Sequence, residues 1–230
     1  MLTIPALDIA AFVFFVATWV GYDLVGDLPH IKRRSIVGAI QHQRSLWLST
    51  MARRDSRIVD AQLLQALSQG NAFFASTSAI AIGGLTAVVG SGDKAMAFLE
   101  RIPLAAPSTP LVWELKIVLM IAIFMFAFFK FAWAFRLSHY TAIMIGATPL
   151  PEECEPGPRE EHAARTATLI GIAAEHANSG LRAFYHAMAA MSWFYHPVAF
   201  MLATTWVMLI LIRRDFFSRA RAAIAGTSRF

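Results

Sequence analysis

The chain has 230 residues, of which 57% are hydrophobic and only 15% are charged, and its mean hydropathy is +0.53. Soluble domains contain roughly a quarter charged residues, so this composition excludes a typical soluble protein and predicts one all-α membrane domain over residues 1–230. The net charge of +5 comes mainly from basic blocks at residues 32–57 and 213–229. Such blocks beside apolar spans are typical of lipid headgroup contact. They lack the interleaved aromatic residues that stack nucleic-acid bases, so we expect no nucleic-acid partner.

Four apolar segments are long enough to cross a bilayer, for which about 20 residues are needed. They lie at about residues 6–25, 72–89, 111–135 and 184–212. Aromatic residues stand near several of their ends, as an interfacial belt requires. The first segment has no basic residue before its apolar core, so we expect a retained span rather than a cleaved signal peptide. The sequence therefore predicts a polytopic protein with four transmembrane helices.

The connection between spans one and two is predicted to form a basic amphipathic interfacial helix over about residues 31–67. Apolar residues recur there at helical spacing, and the arginines fall largely off that stripe. A helix of this kind lies along the membrane surface with its basic side chains toward lipid phosphate. A helix packed on the bundle is the simpler interpretation, and a docking site for a partner is the alternative. The arginines expected to face the headgroups are Arg33, Arg34, Arg44, Arg53 and Arg54.

The connection between spans three and four, residues 146–182, is polar and contains the only cysteine, Cys154, which excludes an intramolecular disulfide. It begins with a proline-rich acidic stretch and continues as a polar helix. We expect a bacterial inner-membrane protein, and the distribution of lysine and arginine in the loops favours an N-terminus on the periplasmic side. The basic tail opposes that orientation. The objection disappears if the fourth segment is two helices broken at His196–Pro197, although each half is short for a span.

Span two has a small residue at every fourth position of one face. Faces of this kind let helix backbones approach closely in lipid. We expect the face to be a seam inside the bundle, with an interface between subunits as the alternative. Its members are Ala75, Ala79, Gly83, Ala87 and Ser91.

Span three contains three charged residues, Glu114, Lys116 and Lys130, and an intramembrane charge is by default a candidate for function. Glu114 lies in the first helical turn, where a carboxylate suits the helix dipole. Lys116 is equally compatible with snorkelling to the interface and with a buried pair to Glu114 or Asp23. Lys130 is expected to be an interfacial anchor.

His196–Pro197 interrupts the fourth apolar segment. Proline removes one helical hydrogen bond and disfavours α geometry in the residue before it. A repaired kink within one helix is expected, while a ligand or proton-relay histidine and a joint between two helices are the alternatives. His196 is the only histidine deep in a predicted span, so one chain lacks the usual pair for a bis-histidine haem. His196 remains the candidate for cofactor binding, and the cofactor is unknown.

Several stretches together are similar to one family. They are RSLWLSTMARRDSRIVDAQLL, NAFFASTSAIAIGGL, WELKIVLMIAIFMFAFFKFAWAFRLSHY and GLRAFYHAMAAMSWFYHPVAFMLATTWVMLILIRRDFFS. Over about residues 10–220 the chain resembles the uncharacterised multi-pass membrane proteins of bacteria and plants grouped as domain of unknown function 599. The resemblance implies a four-span membrane fold and brings no activity, cofactor or catalytic residue.

Familiar enzyme motifs are absent from the sequence, including GxxxxGK[ST], HExxH and GxSxG. We therefore predict no catalytic residue and no metal site. The first hypothesis is a non-catalytic accessory or scaffolding subunit that associates with other membrane subunits or with itself. The second is a small solute or ion transporter or channel acting as an oligomer, favoured by Glu114, Lys116 and the interrupted fourth segment, since discontinuous helices often line solute sites. The third is a membrane redox or lipid-modifying enzyme that uses His196.

Overall fold

The structure is a computed structural model and describes residues 4–26, 28–90, 106 and 108–226. Over these residues the chain forms α-helices and one short 3-10 turn, without strands, so the all-α prediction is confirmed. The helices are α1 (Ala6–Gly26), α2 (Pro29–Arg34), α3 (Ile36–Met51), α4 (Ile58–Gly90), α5 (Pro110–Gly146), α6 (Pro156–Met191), α7 (Pro197–Phe217) and α8 (Arg219–Ile224).

Four helices of the described chain are long and apolar enough to cross a membrane, as predicted. They are Ala6–Gly26, Ile58–Val89, Pro110–Gly146 and Pro197–Ile224, the last combining α7 and α8. Proline opens α5, α6 and α7, where its missing N–H costs no helical hydrogen bond. Helices α4, α5 and α6 contain 33, 37 and 36 residues, which corresponds to about 50–55 Å at about 1.5 Å per residue. Each therefore extends well beyond the roughly 30 Å hydrocarbon core of a bilayer.

The fourth span, predicted as one helix over 184–212, is divided in the structure, so the predicted kink is wrong. Helix α6 ends at Met191, the 3-10 turn covers Ser192–Phe194, and α7 begins at Pro197. His196 has extended backbone angles, φ −159° and ψ 139°, because a residue before proline is disfavoured in the α region. The chain reverses at this point. The structure thus contains the joint between two helices.

Helices α6 and α7 form an antiparallel hairpin around this joint. Trp193 stacks on Phe200 with ring centroids 5.0 Å apart, and deeper in the hairpin Ala189 packs with Val207 and Leu211. The C-terminal half of α6 thus lies inside the bundle beside α5 and α7, although α6 is not among the four apolar helices. The core is formed mainly by small and aromatic residues: Ala11, Phe15, Met120, Ile123, Ala127, Phe131, Ala183, Ala187, Ala190, Trp193 and Phe200.

The predicted interfacial helix over 31–67 is also divided. Helix α3 ends at Met51, and residues 58–67 belong to α4, which continues through span two. The apolar side of α3 packs on the bundle, where Leu48 and Met51 are fully buried against Leu64, Ile145 and Ile170 among others. Contact with protein therefore accounts for its amphipathic pattern, in agreement with the simpler interpretation.

The C-terminal helix α8 returns to the end of the bundle occupied by α2 and α3. The side-chain amide of Gln43 donates a hydrogen bond to the carbonyl of Ile224 at 3.4 Å, and the Arg221 guanidinium donates to the carbonyl of Arg34. The two basic blocks consequently lie at the same end of the molecule.

Candidate functional site

A buried charged cluster lies near the start of α1 and α5. Lys116 is 3% exposed and Asp8 is 6% exposed, and the Lys116 Nζ atom lies 3.9 Å from Asp8 Oδ1. Trp193 donates its indole N–H to the same carboxylate oxygen at 2.8 Å. The Lys116 ammonium also lies 5.6 Å from the Trp193 ring centroid, a cation–π distance. The three side chains therefore tie α1, α5 and the hairpin joint together.

The buried pair was one of two alternatives for Lys116, but its predicted partners are wrong. Glu114 is exposed on the other side of α5, and Asp23 pairs with Arg182 instead. Asp8 was missed because it stands 108 positions before Lys116 and no local spacing connects the two residues. The available signal was that Asp8 is an acidic residue inside an apolar span, which is costly unless the carboxylate has a partner.

A second polar region, here called the polar cavity, lies at the opposite end of the bundle, where α1, α2, α5, α6 and α7 meet. It has a volume of about 410 Å³. Its wall contains many charged and polar side chains. Those used below are Tyr22, Asp23, Lys32, Phe126, Lys130, Glu175, His176, Arg182, Asp215 and Phe216.

Ion pairs across the polar cavity join the helices that surround it. The Lys32 ammonium lies 2.6 Å from the Glu175 carboxylate and links α2 to α6. Arg182 lies 3.3 Å from Asp23 and links α6 to α1. Each pair is only partly shielded from solvent, so each contributes modest stability, and their main effect is to fix the cavity wall.

Asp215 completes this set of pairs from α7. Its carboxylate accepts a hydrogen bond from the Tyr22 hydroxyl at 2.7 Å and pairs with the Arg214 guanidinium at 2.8 Å. Asp215 is 4% exposed, and a carboxylate this deeply buried requires such partners. Each of the three carboxylates among the described residues of the cavity wall is thus bound by a cation.

Lys130, predicted as an interfacial anchor, lines the polar cavity. Its ammonium lies 5.2 Å from the Phe126 ring centroid, and none of the described carboxylates lies within ion-pair distance. The nearby His176 belongs to α6, outside the four candidate spans. Burial and the positive charge of Lys130 lower the pKa of His176, against the opposing influence of Glu175.

His196 caps α7. Its Nδ1 atom accepts a hydrogen bond from the backbone N–H of Val198 at 3.1 Å, which satisfies one of the free amides of the first turn. This local role explains why a histidine precedes Pro197. Cofactor binding by His196 stays a prediction.

His186 is a buried histidine that the sequence did not single out. Its side chain is fully buried and stacks on Trp19 with ring centroids 4.6 Å apart. None of the described residues forms a hydrogen bond with either ring nitrogen. The predicted span over residues 184–212 has His186 near one end, whereas the α6–α7 hairpin places it in the core, where α6 contacts α1.

The small-residue face of α4 does not form a seam inside the bundle. Ala75 packs against the core, but Ala79, Gly83 and Ala87 are exposed. A Cβ atom built on Gly83 meets nothing within 4 Å. Ser91 lies outside the described residues. The predicted internal seam is therefore wrong for the three described positions beyond Ala75.

The arginines predicted to face lipid headgroups divide into two groups. Arg33, Arg34, Arg53 and Arg54 are exposed, although Arg54 also contacts Asp60 at 3.3 Å. Arg44 is half-buried, and burial lowers the pKa of its guanidinium against the opposing influence of Glu175. Arg44 faces the bundle, and four of the five arginines remain available to lipid.

Among the described residues, no group of three or more His, Cys, Asp or Glu side chains is placed to hold a metal ion. The family model described as "Protein of unknown function, DUF599" matches residues 10–220. The chain belongs to this family. No curated protein and no solved structure matches it. The family resemblance inferred from the sequence is thereby confirmed.

Proposed function

We propose that this DUF599 protein is a non-catalytic membrane subunit that associates with a second copy of itself through the outer face of α4. The observation that supports the proposal is the position of the small-residue face. Ala79, Gly83 and Ala87 point away from the bundle on a helix long and apolar enough to cross a membrane.

Helix α4 lies at the edge of the bundle and packs mainly on α5. Only 6% of its apolar stretch is buried, against 33% for α5. Ser76 is exposed together with the three small residues above, and the four positions fall within an arc of about 80° on an ideal helix. The smallest side chains thus occupy the middle of the exposed face.

Apolar burial gives little preference between helix contacts in lipid, because lipid chains are as apolar as leucine. Close backbone approach across small residues supplies that preference through dispersion contacts and interhelical hydrogen bonds. Two copies of the same face related by a two-fold axis would form a closed, self-complementary contact. We therefore propose a second copy of this chain as the partner, because it presents the same complementary face and no other protein has to be assumed.

The other two hypotheses receive less support from the contacts. Transport was tied to Glu114, Lys116 and the broken fourth span. The break is present at His196–Pro197, but Lys116 is buried against Asp8 and Glu114 is exposed on the outer side of α5. Enzyme activity was tied to His196, whose Nδ1 atom caps α7. These contacts explain the residues structurally and favour the non-catalytic hypothesis.

We further propose a bacterial inner-membrane location with a periplasmic N-terminus. The orientation is supported by the return of α8 to the end that holds α2 and α3. Because the C-terminal half of α6 also passes through the bundle beside the four apolar helices, both basic blocks then face the cytoplasm, in agreement with the positive-inside rule, and the basic tail no longer opposes the orientation.

The association is tested by comparing Gly83→Leu with Gly84→Leu in the full chain purified in mild detergent. Both glycines are exposed, and a Cβ atom meets nothing within 4 Å at either position. Neither substitution should therefore disturb the monomer. Gly84 lies roughly 100° from Gly83 around the helix, outside the proposed contact, so it is a matched control.

Light scattering coupled to size-exclusion chromatography should show a dimer for the wild type and Gly84→Leu. Gly83→Leu should weaken association about tenfold or more, because a bulky side chain separates the backbones. Oxidative cross-linking through Ala79→Cys, in a Cys154→Ser background, checks the contact in membranes. A monomeric wild type, or equal dimerisation by both leucine variants, would refute self-association through this face.

A further inference from the structure

Among the described residues that line the polar cavity, Lys130 is the cation without a carboxylate partner. Asp23, Glu175 and Asp215 are each bound by a cation, namely Arg182, Lys32 and Arg214. Lys130 is the remaining cation of the wall, and none of the described carboxylates pairs with it. A side chain with this charge, held in a partly enclosed wall rather than on an open surface, favours binding of an anion.

A second donor in the same wall lacks a partner. The Nε atom of Arg182 is buried and forms no hydrogen bond with any described residue, while its Nη1 atom contacts Asp23 at 3.3 Å. An unmet buried guanidinium donor costs free energy unless a ligand or water satisfies it. Lys130 on α5 therefore has binding capacity that the described residues leave unused, and the buried Nε atom of Arg182 on α6 adds a donor only when the guanidinium turns toward the cavity.

The location also restricts the ligand. Tyr22 and Gly26, at the C-terminal end of the α1 span, line the cavity together with Lys32 of the adjoining basic block. The cavity thus lies where an apolar helix gives way to a basic segment, at the depth of lipid headgroups. Phe126 and Phe216 supply apolar surface in the same wall.

We propose that the polar cavity binds one phosphate group, as the headgroup of a phospholipid or as free phosphate. A phosphodiester carries one negative charge, which matches the single unpaired ammonium of Lys130. Lysine serves as a point charge for phosphate, and the guanidinium supplies directional charge-assisted hydrogen bonds. The ion pairs Lys32–Glu175 and Asp23–Arg182 keep these donors in position before the ligand arrives.

The test uses the full-length protein in mild detergent with three probes: dioleoylphosphatidylglycerol, phosphate-free dioleoylglycerol, and sodium phosphate against sodium chloride at equal ionic strength. Native mass spectrometry counts bound lipid, and calorimetry measures affinity. The variants are Lys130→Gln, Lys130→Arg and Arg136→Gln. Arg136 lies on the same helix as Lys130 but is exposed and contacts Tyr140, so it controls for a general loss of positive charge.

We expect one phosphate-containing ligand per chain, an affinity about tenfold lower in Lys130→Gln, and wild-type affinity in Lys130→Arg and Arg136→Gln. Binding of phosphatidylglycerol without a response to sodium phosphate assigns a lipid source, and binding of sodium phosphate assigns a free one. Equal retention of phosphatidylglycerol and dioleoylglycerol, together with no response to phosphate, overturns the proposal. So does unchanged affinity in Lys130→Gln. If Lys130→Gln does not fold, binding of the three probes to the wild type still decides whether the protein binds phosphate.

Discussion

Breaking the buried pair of Asp8 and Lys116 should destabilise the protein more than removing both charges. The two atoms lie 3.9 Å apart, and their attraction is about 4 kcal/mol at an effective dielectric constant of about 20. Removal of one partner loses that attraction and leaves a buried charge unpaired. Lys116→Met or Asp8→Asn alone should therefore lower the free energy of unfolding by about 3–5 kcal/mol.

The double variant should be far less affected. With both charges removed no desolvation cost remains, and the free energy of unfolding should lie within about 1 kcal/mol of the wild type. Asparagine at position 8 still offers a carbonyl oxygen to the Trp193 indole, which now donates to Asp8 at 2.8 Å. The coupling, which is the sum of the two single effects minus the effect of the double variant, should thus be about 5 kcal/mol or more.

The assay is equilibrium unfolding by SDS in mixed micelles, followed by circular dichroism and tryptophan fluorescence. Glu114→Gln is the matched control, because Glu114 lies two positions from Lys116 and is exposed. Its effect should stay within about 0.5 kcal/mol. Additive single substitutions, within about 0.5 kcal/mol, would show that the pair is not coupled. A large effect of Glu114→Gln would restore Glu114 as the partner of Lys116.

Three further predictions follow from local contacts. Gly180→Ala should destabilise the protein by about 1–3 kcal/mol, because its Cβ would lie 2.7 Å from the Phe131 ring. The control is Gly70→Ala, whose Cβ meets nothing within 4 Å. It should be neutral or stabilising in the same SDS titration. His196→Ala should lower the free energy of unfolding by about 1 kcal/mol through loss of the α7 cap, and His196→Asn should recover most of that loss. If the purified wild type absorbs visible light through a bound cofactor and both variants lose that absorbance, His196 acts as a ligand instead. In sealed vesicles, a membrane-impermeant maleimide should label Cys154 and a cysteine tag after the C-terminus from the same side; labelling from opposite sides would contradict the α6–α7 hairpin.

Four apolar helices were predictable because each contains a continuous stretch of apolar residues, and length alone distinguishes such a stretch from a soluble helix. Helix α6 gave no such signal. Its buried positions in the bundle are largely alanine, such as Ala183, Ala187 and Ala190, while Arg182 faces the polar cavity. Mean hydropathy is averaged over all faces of a helix, so a buried face made of small residues does not raise it enough to be recognised. The hairpin was therefore represented in the sequence only by His196–Pro197.

The candidate sites were harder to predict because they depend on contacts between distant segments. Helical spacing identified the small face of α4, but it could not say whether that face meets another helix of the chain. Charge inside an apolar span singled out Lys116 and Lys130, yet their environments differ. Lys116 is enclosed with Asp8, whereas Lys130 lines an open polar cavity.

The helix reversal at Pro197 connects these separate observations. It returns the C-terminal half of α7 to the level of Tyr22, where Asp215 closes the wall of the polar cavity. A single uninterrupted span through residues 184–212 would place Asp215 at the opposite end of the bundle, far from Tyr22, and the cavity would lack one wall. It would also separate the basic tail from the basic block that precedes α4. The same reversal thus accounts for the balance of basic residues that supports the proposed orientation and for the site at which we propose phosphate binds.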